Sequence, residues 1–257
     1  SCPMCEKQGA AGAALFSEEE KKNGIRIALA GNPNCGKTTA FNAYTGAHQH
    51  VGNYPGITVE QKEGIAHCDG ESIRIIDLPG AYSLTAYTQE ERVARRVIGR
   101  ERPLAVMALL NAGALERNLY LAVQLMEMGV PVSIGLNMMD EARAMGMSID
   151  VPTLSQRLGV PVVETVARTG EGLQEYLRET MAFSRTREGQ PWKPLLISYG
   201  PDLDPVLKHL TESLDEEGIG CAPYPTRWLA LKLLENDEEI LSELSRDKPE
   251  VMAHVKE

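Results

Sequence analysis

The sequence predicts an α/β fold: a mostly parallel sheet with one antiparallel hairpin strand and helices on both faces, then a small all-helical subdomain. Three observations point there. Strand-like and helix-like runs alternate from Ile25 to about Arg187, the pattern of strand–helix–strand units. Residues 31–38, Gly31-Asn32-Pro33-Asn34-Cys35-Gly36-Lys37-Thr38, fit the phosphate-loop pattern G-x-x-x-x-G-K-[ST]. Beyond Arg187, amphipathic helical runs follow one another with no strand between them.

Ile25–Ala30 is a short apolar run and reads as a buried strand. Lys37–Thr45 reads as the helix that follows the phosphate loop. Val59–Cys68 and Ser72–Asp77 are strand-like and flank Asp69-Gly70, a hairpin signal. Further strands are expected at Leu104–Leu110, Val130–Leu136 and Val160–Val166. Helices are expected near Glu90–Ile98, Leu115–Met128, Thr153–Leu158 and Leu173–Arg185. Gln190-Pro191-Trp192-Lys193-Pro194 breaks the pattern. Leu203–Leu214, Thr226–Glu235 and Glu238–Leu244 then read as the helices of the appended subdomain. The expected organisation is an extension over 1–24, an α/β domain over 25–187 and a helical subdomain over 188–257.

Size and charge narrow the function. With 257 residues, 43% of them hydrophobic, the chain can bury a sizeable core. A net charge of −10 argues against a nucleic-acid-binding surface, which needs a basic face. A bound nucleotide is still allowed, because a phosphate loop handles that charge locally. Five cysteines, three of them isolated, do not form a disulfide framework, so a reducing compartment is expected. No apolar run has the length needed to span a membrane. A start at Ser1 and an end inside a polar helical stretch suggest a fragment of something longer.

The phosphate loop has a clear physical logic. Its glycines let successive N–H groups turn toward phosphate oxygens, and the helix N-terminus adds its positive end. Lys37 would reach the β- and γ-phosphates, and the Thr38 hydroxyl would bind Mg²⁺, with Thr39 beside it. Three further motifs separate the nucleotide classes. Asp77-Leu78-Pro79-Gly80 ends a strand as D-x-x-G; Asp77 would hold Mg²⁺ and the Gly80 N–H would sense the γ-phosphate. Asn137-Met138-Met139-Asp140 fits N-x-x-D, in which the Asp140 carboxylate accepts from the ring N–H and exocyclic amine of guanine. Met138 stands where a Lys is usual, so its stacking contact is apolar. Val166-Ala167-Arg168 corresponds loosely to the [ST]-A-[KR] loop that contacts the guanine oxygen.

Each motif has a plainer reading: a strand-end turn, a helix cap, a strand-to-helix loop. Between them lies the Gly- and Pro-rich stretch Val51–Glu60, expected to be mobile. Within it Thr58, with Gly56 and Ile57 before it, is the candidate to reach Mg²⁺ and the γ-phosphate. The order and spacing are those a P-loop GTPase domain requires. Lys37, Thr58, Asn34 and Gly80 are the candidate catalytic residues.

Gly31–Thr39, Val51–Glu60, Asp77–Leu84, Glu116–Leu121 and Asn137–Ala142 together resemble the cytosolic G-domain of the FeoB family of bacterial ferrous-iron transporters. Arg227–Glu235 resembles that family's helical subdomain, often called a GDP-dissociation-inhibitor or spacer domain. The resemblance implies a GTPase with GTP or GDP and Mg²⁺ as ligands. It further implies stimulation by K⁺, held by Asn34 and by the carbonyls of Gly52 and Tyr54. It places the chain at the cytoplasmic face of the inner membrane, partnered by the transporter's own membrane domain. A second copy and small cytosolic Feo proteins are further implied partners.

Departures from the family pattern are Asn111 in place of Asp, Val166 in place of a hydroxyl residue, and Tyr54 in place of a frequent Trp. Two alternatives stand beside this reading: a stand-alone ribosome-assembly GTPase, and a GTP-sensing docking module with incidental hydrolysis. Cys2-Pro3-Met4-Cys5 is a single C-x-x-C pair, readable as metal-binding, redox-active or merely a tail with free thiols. His48, His50 and His67 are read as solvated or structural, the first two in a mobile loop. Cys35 is expected to pack under the phosphate loop rather than act as a nucleophile.

Overall fold

The computed structural model describes residues 25–46, 49–54, 58–187, 195–216 and 224–247. The expected extension 1–24, with Cys2 and Cys5, lies outside the described residues. So do His48, Gly56, Ile57, the break at 190–194 and Cys221.

Seven strands form one sheet: β1 (Ile25–Gly31), β2 (Gln49–Asn53), β3 (Glu60–Cys68), β4 (Glu71–Asp77), β5 (Ala105–Asn111), β6 (Val132–Asn137) and β7 (Val162–Glu164). Their spatial order is β2-β3-β4-β1-β5-β6-β7. β4, β1, β5, β6 and β7 run parallel, and β3 is antiparallel to both of its neighbours. The hairpin turns at Asp69 and Gly70, both at positive φ. The expected α/β architecture is therefore present, with one strand more than the sequence showed.

That extra strand corrects the expectation of a mobile loop around His50 and Val51. β2 pairs through its backbone with β3, from Gln49 opposite Gly64 to Asn53 opposite Glu60. It is a sheet edge with little side-chain burial, and Val51 is exposed. An edge strand held by main-chain bonds need not show apolar alternation. At the far edge, β7 is shorter than the expected Val160–Val166, and Val166 instead makes an isolated bridge with Glu171.

Helices α1 (Lys37–Thr45), α2 (Gln89–Arg96), α3 (Leu115–Glu127), α4 (Met139–Ala144), α5 (Val151–Leu158) and α6 (Leu173–Arg187) connect the strands. Only α4 was not expected; six residues are too few to show a helical period. On one sheet face Phe41 and Tyr44 of α1 and Tyr176 and Leu177 of α6 pack on Ile27, Leu29, Ile73 and Leu109. The other face, with Ala28, Ala30, Ile76 and Leu110, takes Val93 of α2 and Leu121 and Leu125 of α3.

The helical subdomain packs onto that second face. Its helices are α7 (Asp204–Glu216), α8 (Thr226–Leu234) and α9 (Glu238–Asp247). Leu207, Trp228, Leu231 and Ile240 belong to the same core cluster as α3. Two ties from α3 fix the entry of the subdomain. The Leu195 N–H donates to Met126 O at 2.9 Å, and the Tyr199 hydroxyl bonds the Glu127 carboxylate.

The strongest tie comes from α2. Arg95 is buried, 1% exposed, and its guanidinium forks onto both Asp237 oxygens at 2.6 and 3.2 Å. It also pairs with Glu239 and lies 5.7 Å from the centre of the Trp228 ring. Tyr224 stacks on Trp228, centroids 4.5 Å apart, and a side chain at Gly99 would overlap Tyr224. Removing one partner of a buried pair leaves an uncompensated charge. Arg95→Ala is therefore expected to lower the urea-unfolding free energy by about 3–5 kcal/mol. Arg95→Ala combined with Asp237→Ala should lose less than the sum of the single losses; additive losses would contradict the pairing.

Candidate functional site

The site lies at the carboxyl ends of the parallel strands, where open α/β sheets bind ligands. β1 ends at Gly31, whose neighbours leave no room for a side chain. A Cβ there would sit 2.6 Å from Cys35 Sγ and 2.7 Å from Leu109 O. The phosphate loop then turns through positive φ at Asn34 (65°) and Gly36 (87°). Such alternation makes a concave nest of N–H groups. α1 begins at Lys37 with no side-chain cap and no acid in its first turn. Its leading N–H groups are thus open to an anion. Thr38 and Thr39 are exposed on that first turn.

Asp77, the last residue of β4, lies opposite Lys62 of β3 and Leu29 of β1. Its carboxylate forms an ion pair with Lys37 Nζ, and both side chains are nearly buried. Burial pushes the Asp77 carboxyl above its usual range, and the Lys37 ammonium opposes that push. The D-x-x-G segment lies over the phosphate loop. Leu78 N donates to Leu29 O at 2.9 Å and Ala81 N to Gly31 O at 3.3 Å. Gly80 is packed so that a Cβ would meet Pro33 at 3.6 Å.

The loops after β6 and β7 join this centre through Asn137. It ends β6, is 2% exposed, and donates from Nδ2 to Cys35 O at 2.8 Å. Its Oδ1 accepts from Ala167 N at 2.8 Å and from Thr165 Oγ1 at 3.3 Å. Met138 takes positive φ (61°), and its terminal methyl lies 3.7 Å from where a Cβ on Gly36 would be. Asp140 projects from the first turn of α4 and pairs with Arg168 at 2.9 Å. The hydrogen bond from Arg168 holds the Asp140 carboxyl below its usual range. Val166 and Ala167 are buried, which explains an apolar residue where a hydroxyl was expected: Val166 is part of the core cluster.

Around the loop, Lys37 thus pairs with Asp77, Asn137 with Ala167, and Asp140 with Arg168. Thr58 is exposed on a bend before β3, with no hydrogen bond to Lys37, Thr38 or Asp77 among the described residues. Gly52 lies in β2 opposite Gln61, and Tyr54 N donates to Val59 O at 3.0 Å. The Asn34 side chain is exposed and makes no hydrogen bond among the described residues. Asn111 keeps a capping role, accepting from Gly113 N at 2.8 Å.

His50 stands in β2 and His67 in β3. No cluster of three or more His, Cys, Asp or Glu residues suited to a metal ion occurs among the described residues. Nor is any helix among them long and apolar enough to cross a membrane.

Sequence reasoning passed over one organiser of the segment after D-x-x-G. The Glu91 carboxylate accepts from Ser83 Oγ at 2.7 Å and from Tyr87 N at 3.0 Å, and it closes a capping box with Thr88. Thr88-Gln89-Glu90-Glu91 carries that pattern in plain sight. Nearby, Leu84 N donates to Gln124 Oε1 at 2.6 Å, and Arg117 lies over the Tyr82 ring.

Comparison with known proteins agrees with this geometry. The family described as "Ferrous iron transport protein B" matches residues 25–180, and the "FeoB cytosolic helical domain" matches 199–257. A Porphyromonas gingivalis "Fe(2+) transport protein A/Fe(2+) transporter FeoB fusion protein" is 48% identical over 225 residues, covering 86% of this chain and 26% of the relative. The cytosolic domain of a T. maritima FeoB iron transporter superimposes in a GDP form with TM-score 0.77 and 36% identity, covering 85% of this chain and 83% of that one. Its GMPPNP form gives a TM-score of 0.78, at 36% identity over 85% of this chain and 84% of that one. The chain spans about a quarter of the length of such curated relatives, 26% and 27% in two of them.

Two outcomes follow from the packing of the loop. Gly36→Ala would need positive φ and overlap Asn137, so guanine-nucleotide affinity should fall at least about tenfold; unchanged affinity by fluorescence titration would refute that. Burial raises the Cys35 thiol to about 11. At pH 8 iodoacetamide should therefore leave Cys35 unmodified in the folded protein and label it in urea, as read by peptide mass mapping. Rapid labelling of the folded chain would show that the loop does not cover it.

Proposed function

This chain belongs to the FeoB family of ferrous iron transport proteins, and we propose that it is the GTP-binding and GTP-hydrolysing switch of such a transporter. The observation that carries the reading is the Asn137 amide, which ties the phosphate loop to the loop after β7 beside Asp140. Backbone N–H groups of residues 32–38 would hold the phosphates, with Lys37 offsetting their charge. The Asp140 carboxylate would read guanine. Family membership favours this over a stand-alone ribosome-assembly GTPase.

The donor set fits a Mg²⁺ ion, which takes hard oxygen ligands. Asp77 offers a carboxylate beside the loop and Thr38 an exposed hydroxyl on the first turn of α1, with Thr58 as the mobile third donor. Such a cation supplies charge neutralisation at the phosphates. The unengaged Asn34 side chain, with the Gly52 and Tyr54 carbonyls, would hold K⁺, which adds positive charge where an arginine finger otherwise acts.

Ala81 follows D-x-x-G and is buried, so no side chain there orients an attacking water. Intrinsic turnover should be slow. That feature, with the Arg95 tie from α2 to the helical subdomain, also favours a gating role in which differential binding matters more than rate. The transported ion would be Fe²⁺, handled by membrane-embedded parts of the whole protein, with this chain at the cytoplasmic face of the inner membrane. The P. gingivalis fusion supports a small Feo protein as a partner.

GTP hydrolysis in K⁺ and in Na⁺ at equal ionic strength, with Mg²⁺, tests the proposal alongside Asn34→Ala. K⁺ should stimulate the parent and not the variant. Equal rates in both salts would remove the K⁺ mechanism, and absence of guanine-nucleotide binding would remove the switch.

A further inference from the structure

Asn32 sits in the phosphate loop, yet its side chain is buried. Along β1, Ile27 and Leu29 face α1 and α6, while Ala28 and Ala30 face α2 and α3. Gly31 continues the first set, since a Cβ there would meet Cys35 and Leu109. β1 ends at Gly31; continuing its alternation by one residue would direct Asn32 with Ala28 and Ala30, toward α3 and the segment after D-x-x-G. Its backbone belongs to the phosphate nest; its amide does not.

That amide is 2% exposed, and neither its Nδ2 nor its Oδ1 has a hydrogen-bond partner among the described residues. Among the described residues the other buried side-chain amides are all engaged. Asn118 bonds Asn111 N and Ala114 O. Gln124 bonds Leu84 N, and Asn137 holds three partners. A buried orphan amide costs stability unless another state uses it. The segment above it has what the amide lacks. Gly31 O takes the Ala81 N–H, and Gly80 rests against Pro33. The main-chain groups of Gly80, Tyr82 and Ser83 make no hydrogen bond among the described residues.

We propose that the Asn32 side chain is a positioning residue for the triphosphate state, pairing with the main chain of Gly80–Ser83 when that segment re-forms around a γ-phosphate. This rests on the reading of the chain as a guanine-nucleotide switch. A primary amide offers both donor and acceptor, so it serves either an N–H or a C=O. A bond made in one state only shifts the balance between states, whereas one made in both shifts nothing. The consequence is a preference for GTP over GDP set from beneath the loop.

Titration of the whole chain with fluorescent GDP and a fluorescent non-hydrolysable GTP analogue tests this, using Asn32→Leu and Asn32→Ala. Leu keeps the branched outline and removes the orphan amide; Ala adds no bulk and serves if Leu does not fit. The analogue-to-GDP affinity ratio should fall about five- to tenfold, the worth of one or two neutral hydrogen bonds. Nucleotide-free Asn32→Leu should melt no lower than the parent. Equal weakening of both nucleotides, as expected if Asn32 holds a permanent buried water, would overturn the assignment; so would an unchanged ratio. A parent that binds neither nucleotide would overturn the functional reading itself. A parent that binds both, with an unchanged ratio in the variants, would overturn the Asn32 role alone.

Discussion

One buried amide holds the nucleotide site together. Asn137 reaches the phosphate loop through Cys35 O, and the loop after β7 through Ala167 N and Thr165 Oγ1. Those loops leave three different strands, and the two after β6 and β7 are also tied directly by main-chain bonds at Thr165 and by the Asp140–Arg168 pair. Loops are ordinarily the mobile part of an α/β fold. Here the spacing between the phosphate loop and the Asp140 carboxylate is set in part by three bonds from a side chain with almost no solvent contact. Gly36 follows from the same constraint, since anything larger would collide with that amide. So does the left-handed turn at Met138, which carries the chain directly from the buried Asn137 into α4.

A second line of contacts leads away from the site. Asp77 closes β4, and the chain crosses Gly31 at Ala81. It is then gathered by Glu91 and Gln124 before entering α2. α2 ends near Arg95, whose charge is shared between Asp237 and Glu239 of the helical subdomain. The two ends of this line differ in kind. Around Tyr82 and Ser83 the main chain is held by side chains and by few bonds, the condition under which local rearrangement is cheap. At Arg95 the contacts are buried and charged, and breaking them is costly. A change at the phosphates would therefore rearrange Gly80–Thr88 first, and α2 and the subdomain would respond to it as one joined unit.

Much of this was legible in the sequence, for identifiable reasons. The central strands are continuous apolar runs, and the phosphate loop, D-x-x-G and N-x-x-D are short patterns whose chemistry is local. What stayed hidden depends on partners far away in the chain. Arg95 and Asp237 are 142 positions apart, and nothing in either neighbourhood announces the other. β2 is held by main-chain pairing at a sheet edge, so its side chains carry no period. Asn137 could be assigned to a base-reading motif, but its bond to Cys35 O requires two strand ends to be adjacent in space. The orphan state of Asn32 is a property of the packed protein alone.

The Lys37–Asp77 pair shows how two nearly buried charges are kept at the site. Each group is nearly buried, and an isolated buried charge would be expensive. Pairing them neutralises both, and burial still leaves the Asp77 carboxyl above its usual range. Both groups also have stronger prospective partners: phosphate oxygens for the ammonium, a divalent cation for the carboxylate. Binding would therefore exchange one compensated arrangement for another rather than create new buried charge. That exchange needs no large motion of β1 or β4, whose register is fixed from Ile25 opposite Ile73 to Leu29 opposite Asp77. The rigid sheet supplies the position, and only the segment beyond Gly80 has to answer to what occupies the loop.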